Sequence, residues 1–225
     1  MHIPIDNELV ELKEKLLTMA SHAESSVRDA VSALVNRNDD LVLKVKQNDD
    51  VVDRYEVEID DLAVHLLAKA PLASDLRFVL MAMKISQNLE RVGDEANKIA
   101  KRGRDLNQEA PLKTNLEFAK MAEVSSAMLK GSLDAFVNRD PAAARAVIAQ
   151  DREVNTFNKK ARAELEQLMM AGPENVRRAL NLMIAAKCLE RIADHATNIA
   201  EEVVYLYEAS DIRHMNNSTP AAKAC

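Results

Sequence analysis

Four pairs of oxygen-bearing side chains, each spaced four residues apart, are the residues best suited to chemistry in this sequence. They are Asp49 with Asp53, Glu90 with Asp94, Asp151 with Asn155, and Glu190 with Asp194. On a helix this spacing places both members on one face, where two like charges destabilise the helix by roughly 0.2–0.5 kcal/mol. A bound cation would remove that penalty, and such oxygens suit Mg²⁺, Mn²⁺ and iron. The pairs therefore predict metal-binding patches.

The same pairs have a second interpretation that needs no metal. Four arginines lie beside them and could neutralise a solvated helix face: Arg54, Arg91, Arg152 and Arg191. Since the apolar stripe from Leu89 to Ile99 lies on another face, we expect the carboxylates of Glu90 and Glu190 to point outward. His195 stands where the first half has Glu95, and it could add a nitrogen ligand to the second patch.

Other chemistries find little support in the sequence. We find no glycine-rich phosphate-binding loop, no Ser-His-Asp or Cys-His order, and no Glu-x-x-His pair of the kind that ferritin-like di-iron bundles use. Cys188 falls in a core-like pattern, and two cysteines make no disulfide framework. The residues therefore offer no obvious catalytic constellation.

Composition indicates the elements that must position these pairs. The 225 residues include only 4 Gly, 6 Pro and no Trp, which is too few turn residues for a β-rich or α/β protein. The net charge of -6 comes with no basic stripe, so nucleic acid is not an expected partner. No apolar run reaches the ~18 residues of a membrane span, and the N-terminus lacks signal-peptide features. We expect an all-α protein of the cytoplasm.

Apolar residues recur at helical spacing in long stripes, interrupted by polar segments. The first stripe runs from Leu9 to Leu34, the second from Leu41 to Leu66, and the third from Leu76 to Ile99. We expect Asn38 or Asp39 to cap the second helix, and Ser74 or Asp75 to cap the third, which should end near Gly103. Each helix should be about 28 to 32 residues long, on the order of 45 Å.

The chain repeats this pattern once. The segment 33–37 (ALVNR) returns as 135–139 (AFVNR) at an offset of 102, and NLERVGDEANKIA (88–100) returns as CLERIADHATNIA (188–200) at an offset of 100, with 7 of 13 positions identical. We therefore predict two tandem three-helix bundles with six long antiparallel helices, covering 1–105 and 113–210. Residues 211–225 are predicted to be a disordered tail.

The repeated third-helix segments, together with Asn36-Arg37, Asp49-x-x-x-Asp53 and Ala70-Pro71-x-Ala73-x-Asp75-Leu76-Arg77, resemble the PhoU family of bacterial phosphate-signalling regulators. The resemblance extends from about Leu9 to Leu206. It implies a cytoplasmic protein that is not an enzyme and acts as a negative regulator of phosphate uptake and of the phosphate-starvation regulon. It also implies two partners, the ATPase subunit of the high-affinity phosphate ABC transporter and a sensor histidine kinase, and a homodimer.

The resemblance further implies multinuclear metal sites on the paired acidic motifs, with iron, manganese, magnesium or zinc as the metal. Asn155 departs from the expected aspartate, and His195 stands opposite Glu95, so the second site need not match the first. Three alternatives stay open at this point: an accessory protein of a low-affinity phosphate permease, a metal-handling helical protein, and a scaffold without metal.

Overall fold

The computed structural model describes residues 5–69, 72–114 and 116–213. Six α-helices and one short 3₁₀ turn make up these ranges, which contain no strand. The helices are α1 (Ile5–Val35), α2 (Asp40–Leu67), α3 (Ala73–Asn107), α4 (Phe118–Asn138), α5 (Pro141–Ala171) and α6 (Val176–Glu208), with the 3₁₀ turn at Pro173–Asn175. The predicted all-α fold is confirmed. The tail prediction falls largely on residues 214–225, which lie outside the described residues.

Each half of the chain forms a three-helix bundle. Helices α1, α2 and α3 pack against one another, and α4, α5 and α6 do the same. The predicted stripes form the cores: Leu12, Leu16 and Met19 of α1 are fully buried, as are Leu89 and Ile99 of α3. A long helix cannot bury its apolar stripe alone, and in each half of the chain the packing of three helices covers it.

The two bundles pack through α3 and α6, with a smaller contact between α1 and α4. Asn88 Oδ1 lies 2.9 Å from His195 Nδ1, and farther along α3 the Arg191 guanidinium donates to Glu95 Oε1 at 3.2 Å. Residue numbers rise along α3 as they fall along α6, so these helices run antiparallel.

The contact between the bundles has an approximate two-fold symmetry. At the offset of 100, Asn88 corresponds to Cys188 and Glu95 corresponds to His195. The contact of Asn88 with His195 is therefore matched by the interaction of Cys188 with Glu95. Such reciprocity defines an isologous interface, in which the same surface is used by both partners. The repeat thus folds as an internal pseudo-dimer.

Helix ends follow the predictions only in part. Asp140 caps α5 as its position before Pro141 indicates, because its Oδ1 accepts from two main-chain N–H groups at 3.0 Å. Asp39 makes no side-chain cap, and Asn38 Oδ1 instead accepts from the N–H of Asp40 at 3.1 Å. The expected caps of α3 are wrong, since that helix begins at Ala73 with no side-chain cap.

Gly103 lies inside α3 rather than at its end. A Cβ at this position would lie 3.1 Å from Leu34 Cα and 3.2 Å from Leu34 N. The missing side chain lets the backbones of α1 and α3 approach closely, so the glycine serves packing and the helix continues to Asn107. The prediction that α3 ends near Gly103 is therefore wrong by one helical turn. Helix α4, at 21 residues, is also shorter than expected.

The repeated Asn-Arg pair ends the first helix of each bundle. Arg37 and Arg139 both adopt left-handed backbone conformations, with φ of 53° and 57°. This conformation is costly for a residue with a Cβ, and the Arg37 guanidinium offsets the cost by donating to the carbonyls of Leu106 and Glu109 at 2.9 and 2.6 Å. The turn is thereby tied to the end of α3.

Candidate functional site

The first acidic patch lies along the seam between α2 and α3 and contains Asp49, Asp53, Glu56, Glu90 and Asp94. Gly93 lies under it, and a Cβ there would come within 3.3 Å of Asp49 Oδ1 and 3.5 Å of Val52 Cγ1. The side-chain amide of Asn97 on α3 also donates to Asp49 Oδ2. The close approach of the two helices therefore holds Asp49 against the face that carries Glu90 and Asp94.

Electrostatics show that the predicted members of this patch lie near one another. Burial raises the pKa of Asp49, and the charges of Asp53 and Asp94 raise it further, against a lowering hydrogen bond from Asn97. Burial and then Asp94 likewise raise the pKa of Asp53. Burial raises the pKa of Glu90, with added repulsion from Asp94 and Asp53. Four carboxylates on two helices thus repel one another across one seam.

Glu56 belongs to the patch, although the sequence analysis did not select it. Burial raises its pKa, and the charges of Asp60 and Asp53 add to the shift, while Glu56 in turn raises the pKa of Glu90. The signal was present in the sequence, because Asp49, Asp53 and Glu56 have the i, i+4, i+7 spacing of one helix face. A spacing of four residues alone does not select Glu56, because it lies three residues after Asp53.

The second acidic patch lies between α5 and α6 and contains Asp151, Asn155, Glu190 and Asp194. Asn155 Nδ2 donates to Asp151 Oδ2 at 2.6 Å, and Asp151 Oδ1 is buried without a hydrogen-bond partner. Burial raises the pKa of Asp194 to about 6, and the charges of Glu190 and Asp151 contribute to this shift. The predicted members are again close together, with one carboxylate fewer among the predicted positions than in the first patch.

The expected outward direction of the glutamates is wrong for Glu190. This residue is only 8% exposed, and its carboxylate pairs with Lys187 one turn earlier on α6. Glu90 is half-buried. The cause is the number of neighbours: α6 packs against α3, α4 and α5, so positions next to its apolar stripe are also covered.

Cations line the rim of the first patch, as the second interpretation of the acidic pairs requires. Arg91 Nε lies 3.2 Å from Glu90 Oε2, and its guanidinium lies 3.7 Å from Asp94 Oδ2. Lys98 Nζ lies 3.8 Å from Asp94 and 3.0 Å from Glu95. These contacts leave Asp49 and Asp53 without an ion pair among the residues described here, so neutralisation is partial.

The oxygen atoms of the two patches suit a hard cation, although they do not already surround one position. Carboxylate and amide oxygens from two adjacent helices are the ligands that such ions accept. Asp151 Oδ1, which is buried without a hydrogen-bond partner, is one oxygen that a cation could bind. In residues 5–69, 72–114 and 116–213, however, no three His, Cys, Asp or Glu side chains already gather in a metal-binding arrangement. Binding would require the side chains to turn inward.

His195 and Cys188 belong to the contact between the bundles. The His195 ring interacts with Asn88 across the α3–α6 interface. Burial raises the pKa of the Cys188 thiol to about 12, and the neighbouring Glu95 carboxylate adds to that effect. A thiol that stays protonated is a poor nucleophile, which agrees with a structural role for Cys188.

Comparison with known proteins places the chain in a family. The family model described as "PhoU domain" matches residues 16–103 and 118–203, one match in each bundle. The chain belongs to the PhoU family. The two matches correspond to the two repeats that the sequence shows, and each includes the acidic pairs of its own patch.

Relatives of this family match nearly the whole chain. The protein named phosphate-specific transport system accessory protein PhoU homolog of Pseudomonas aeruginosa is 38% identical over 210 residues, covering 92% of this chain and 87% of the relative. The protein of the same name from Aquifex aeolicus is 36% identical, covering 93% and 95%.

Solved structures of the family have the same fold. The crystal structure of PhoU from Pseudomonas aeruginosa superposes with a TM-score of 0.89 at 37% identity, covering 91% of this chain and 99% of that one. The phosphate transport system regulatory protein PhoU from Streptococcus pneumoniae gives a TM-score of 0.85 at 27% identity, covering 92% and 99%. The tandem-bundle architecture is therefore a property of the family. No helix in the described ranges is both long and apolar enough to cross a membrane.

Proposed function

We propose that this protein is an accessory protein of the phosphate-specific transport system and a negative regulator of phosphate uptake and of the phosphate-starvation regulon. The observation that carries the proposal is the pair of acidic patches, one on each repeat of a PhoU fold. Relatives that match about nine-tenths of the chain carry a name that describes this accessory role.

The proposed action is binding in the cytoplasm rather than turnover of a substrate. As an adaptor, the protein would contact the ATPase subunit of the phosphate ABC transporter and a sensor histidine kinase, so that transporter state sets kinase state. Two similar bundles that pack through α3 and α6 give such an adaptor two related surfaces. We also propose a homodimer, which sedimentation velocity tests directly.

The two patches are proposed to bind divalent or multinuclear metal: iron, manganese, magnesium or zinc. Asp49, Asp53, Glu90 and Asp94 would hold it in the first patch, with Glu56 in addition; Asp151, Asn155, Glu190 and Asp194 would hold it in the second. The metal would supply positive charge that cancels the repulsion between neighbouring carboxylates and fastens α2 to α3 and α5 to α6.

The regulatory role is tested by deleting the gene and assaying alkaline phosphatase in phosphate-replete medium. We expect high phosphatase in the deletion strain, and repression after complementation with the wild-type chain. Unchanged, repressed phosphatase in the deletion strain would contradict the proposal and favour a permease accessory or a metal handler.

The metal proposal needs a separate measurement. Protein purified without chelator should contain metal by mass spectrometry, and the Glu90→Ala/Asp94→Ala variant should contain less. Glu153→Ala, an exposed acid outside both patches, is the matched control. Absence of bound metal together with no affinity for Mn²⁺, Mg²⁺ or Fe²⁺ would refute metal binding and leave the regulatory role to the phosphatase assay.

A further inference from the structure

Helix α2 carries a stripe of exposed aliphatic and acidic residues on the side opposite its core. The α2 stripe consists of Leu43, Asp50, Val57, Asp61 and Val64. Its three aliphatic members are 63%, 61% and 64% exposed, which is high for side chains of this size. They are spaced at multiples of seven residues, so they lie on one side of the helix and drift around it by only about 20° per seven residues. The buried residues Val45, Val52 and Ile59 lie on the other side.

Negative charges predominate around the part of this stripe that contains Val57 and Val64. Between positions 50 and 64, four exposed acids have no ion pair within the part of the chain that the structure describes: Asp50, Asp53, Asp60 and Asp61. One exposed arginine, Arg54, lies among them, and its Nε donates to the main-chain oxygen of Asp50. Around Val57 and Val64 the face therefore presents aliphatic side chains bordered mainly by negative charge, whereas two exposed lysines, Lys44 and Lys46, lie beside Leu43.

The duplicated helix provides an internal comparison. At the offset of 102, buried positions of α2 match buried positions of α5, for example Val45 with Val147 and Val52 with Val154. The equivalents of the α2 stripe are, in order, Arg145, Arg152, Lys159, Ala163 and Glu166. The fold therefore does not need aliphatic residues at these places, since α5 keeps the same packing with charged ones.

We propose that the α2 stripe is a docking site for a basic amphipathic helix of a partner protein. Its leucine-like side chains would cover Val57 and Val64, and its Lys or Arg side chains would meet the four flanking acids. The proposal goes beyond the proposed function, because it holds whichever pathway the protein serves.

Charge argues against other occupants. An anionic membrane or a nucleic acid would be repelled by the flanking acids. Two α2 stripes from two copies of the chain would bring the flanking acids of both copies together, which is also unfavourable. A separate basic helix covers the stripe without this problem.

The test uses the full-length protein and a fluorescein-labelled peptide made of three Leu-Lys-Lys-Leu-Leu-Lys-Leu repeats. Binding is measured by fluorescence anisotropy at about 0.15 M salt, where weak surface attraction is screened. A peptide with Glu in place of every Lys is the charge control. The key variant is Val57→Lys/Val64→Glu, which introduces the residues found at the equivalent positions of α5 and leaves the net charge unchanged.

The matched control is Val10→Lys/Met170→Glu, a charge-neutral change of two exposed apolar residues, 55% and 79% exposed, outside the stripe. We expect the basic peptide to bind the key variant at least about tenfold more weakly than the wild type, with less than about a twofold change in the control. Asp50→Asn/Asp61→Asn should also weaken binding and flatten its salt dependence.

Four results would overturn the proposal. They are no binding of the basic peptide to the wild type, equal loss in the key variant and the control, equal affinity for the acidic peptide, and self-association of the wild type that the key variant abolishes. The last result would identify a second copy as the occupant. Circular dichroism of each variant establishes that it is folded before binding is measured.

Discussion

Replacing Asp53 by asparagine should stabilise the metal-free protein. Asp53 repels five neighbours: it raises the pKa of Asp49, Glu56 and Glu90, and its own pKa is raised, after burial, by Asp94 and Asp50. Each like-charge pair at helical spacing costs roughly 0.2–0.5 kcal/mol, so removing five should increase the free energy of unfolding by at least about 1 kcal/mol. Asparagine keeps the size of the side chain, and the second repeat already has Asn155 at this position.

Urea denaturation followed by circular dichroism, first in EDTA and then with Mn²⁺, measures both consequences. In a thermal scan of the same samples, a gain of 1 kcal/mol should raise the melting temperature of a chain of this size by about 2–4 °C. Mn²⁺ at a hundred times its dissociation constant adds about 2.7 kcal/mol to the wild type, and this increment should shrink in Asp53→Asn.

Asp61→Asn is the matched control for this experiment, since Asp61 lies on the same helix and faces away from the patch. It should change the free energy of unfolding by less than about 0.5 kcal/mol in either buffer. An unchanged or lower stability of Asp53→Asn in EDTA would refute the repulsion argument. An unchanged Mn²⁺ increment would refute the assignment of Asp53 as a ligand.

Three further outcomes follow from single contacts. Gly103→Ala should lower the free energy of unfolding by about 1 kcal/mol in urea titrations, because crowding against the Leu34 backbone outweighs the gain in helix propensity; a stabilised variant would contradict the packing argument. In a Cys225→Ser background, Cys188 should react with Ellman's reagent at pH 8 only after unfolding, since its thiol is buried with a pKa of about 12; rapid reaction of the folded protein would disprove this. The folded-state pKa of Asp194 is raised to about 6, so protonation of this residue stabilises the fold fully below the unfolded value of 3.8, and that stability is lost as the pH rises through 6. The free energy of unfolding of Asp194→Asn, relative to that of the wild type, should therefore increase as the pH rises from about 4 to 6 in urea titrations. A difference that stays constant at all pH values would contradict this prediction.

The helical class and the duplication could be predicted because both depend on residues close together in the sequence. The stripe from Leu12 to Val27 recurs every three or four residues, and that period already defines which side of α1 is buried. The Asp140-Pro141 cap is equally local, since the side chain bonds to N–H groups two and three residues later. The acidic pairs were found for the same reason.

Contacts between distant residues were beyond the reach of such patterns. Whether Gly103 ends a helix or lets two helices approach depends on Leu34, which is 69 residues away. The surroundings of His195 likewise depend on Asn88, which lies beside it on another helix and is 107 residues away in the sequence. Glu95 is a parallel case: burial would raise its pKa, but interactions with Cys188, Lys98 and Arg191 outweigh burial and lower it.

The sequence by itself determined that this protein is made of long helices in two copies of one unit, and that each copy places acids four residues apart on two successive helices. Only the tertiary structure decided that those helices meet at their acidic faces, that Glu56 joins them, that Glu190 is covered, and that the two units contact through α3 and α6. The physical reason is range: helical periodicity is fixed within a few turns, whereas burial and electrostatic fields are summed over every neighbour in space.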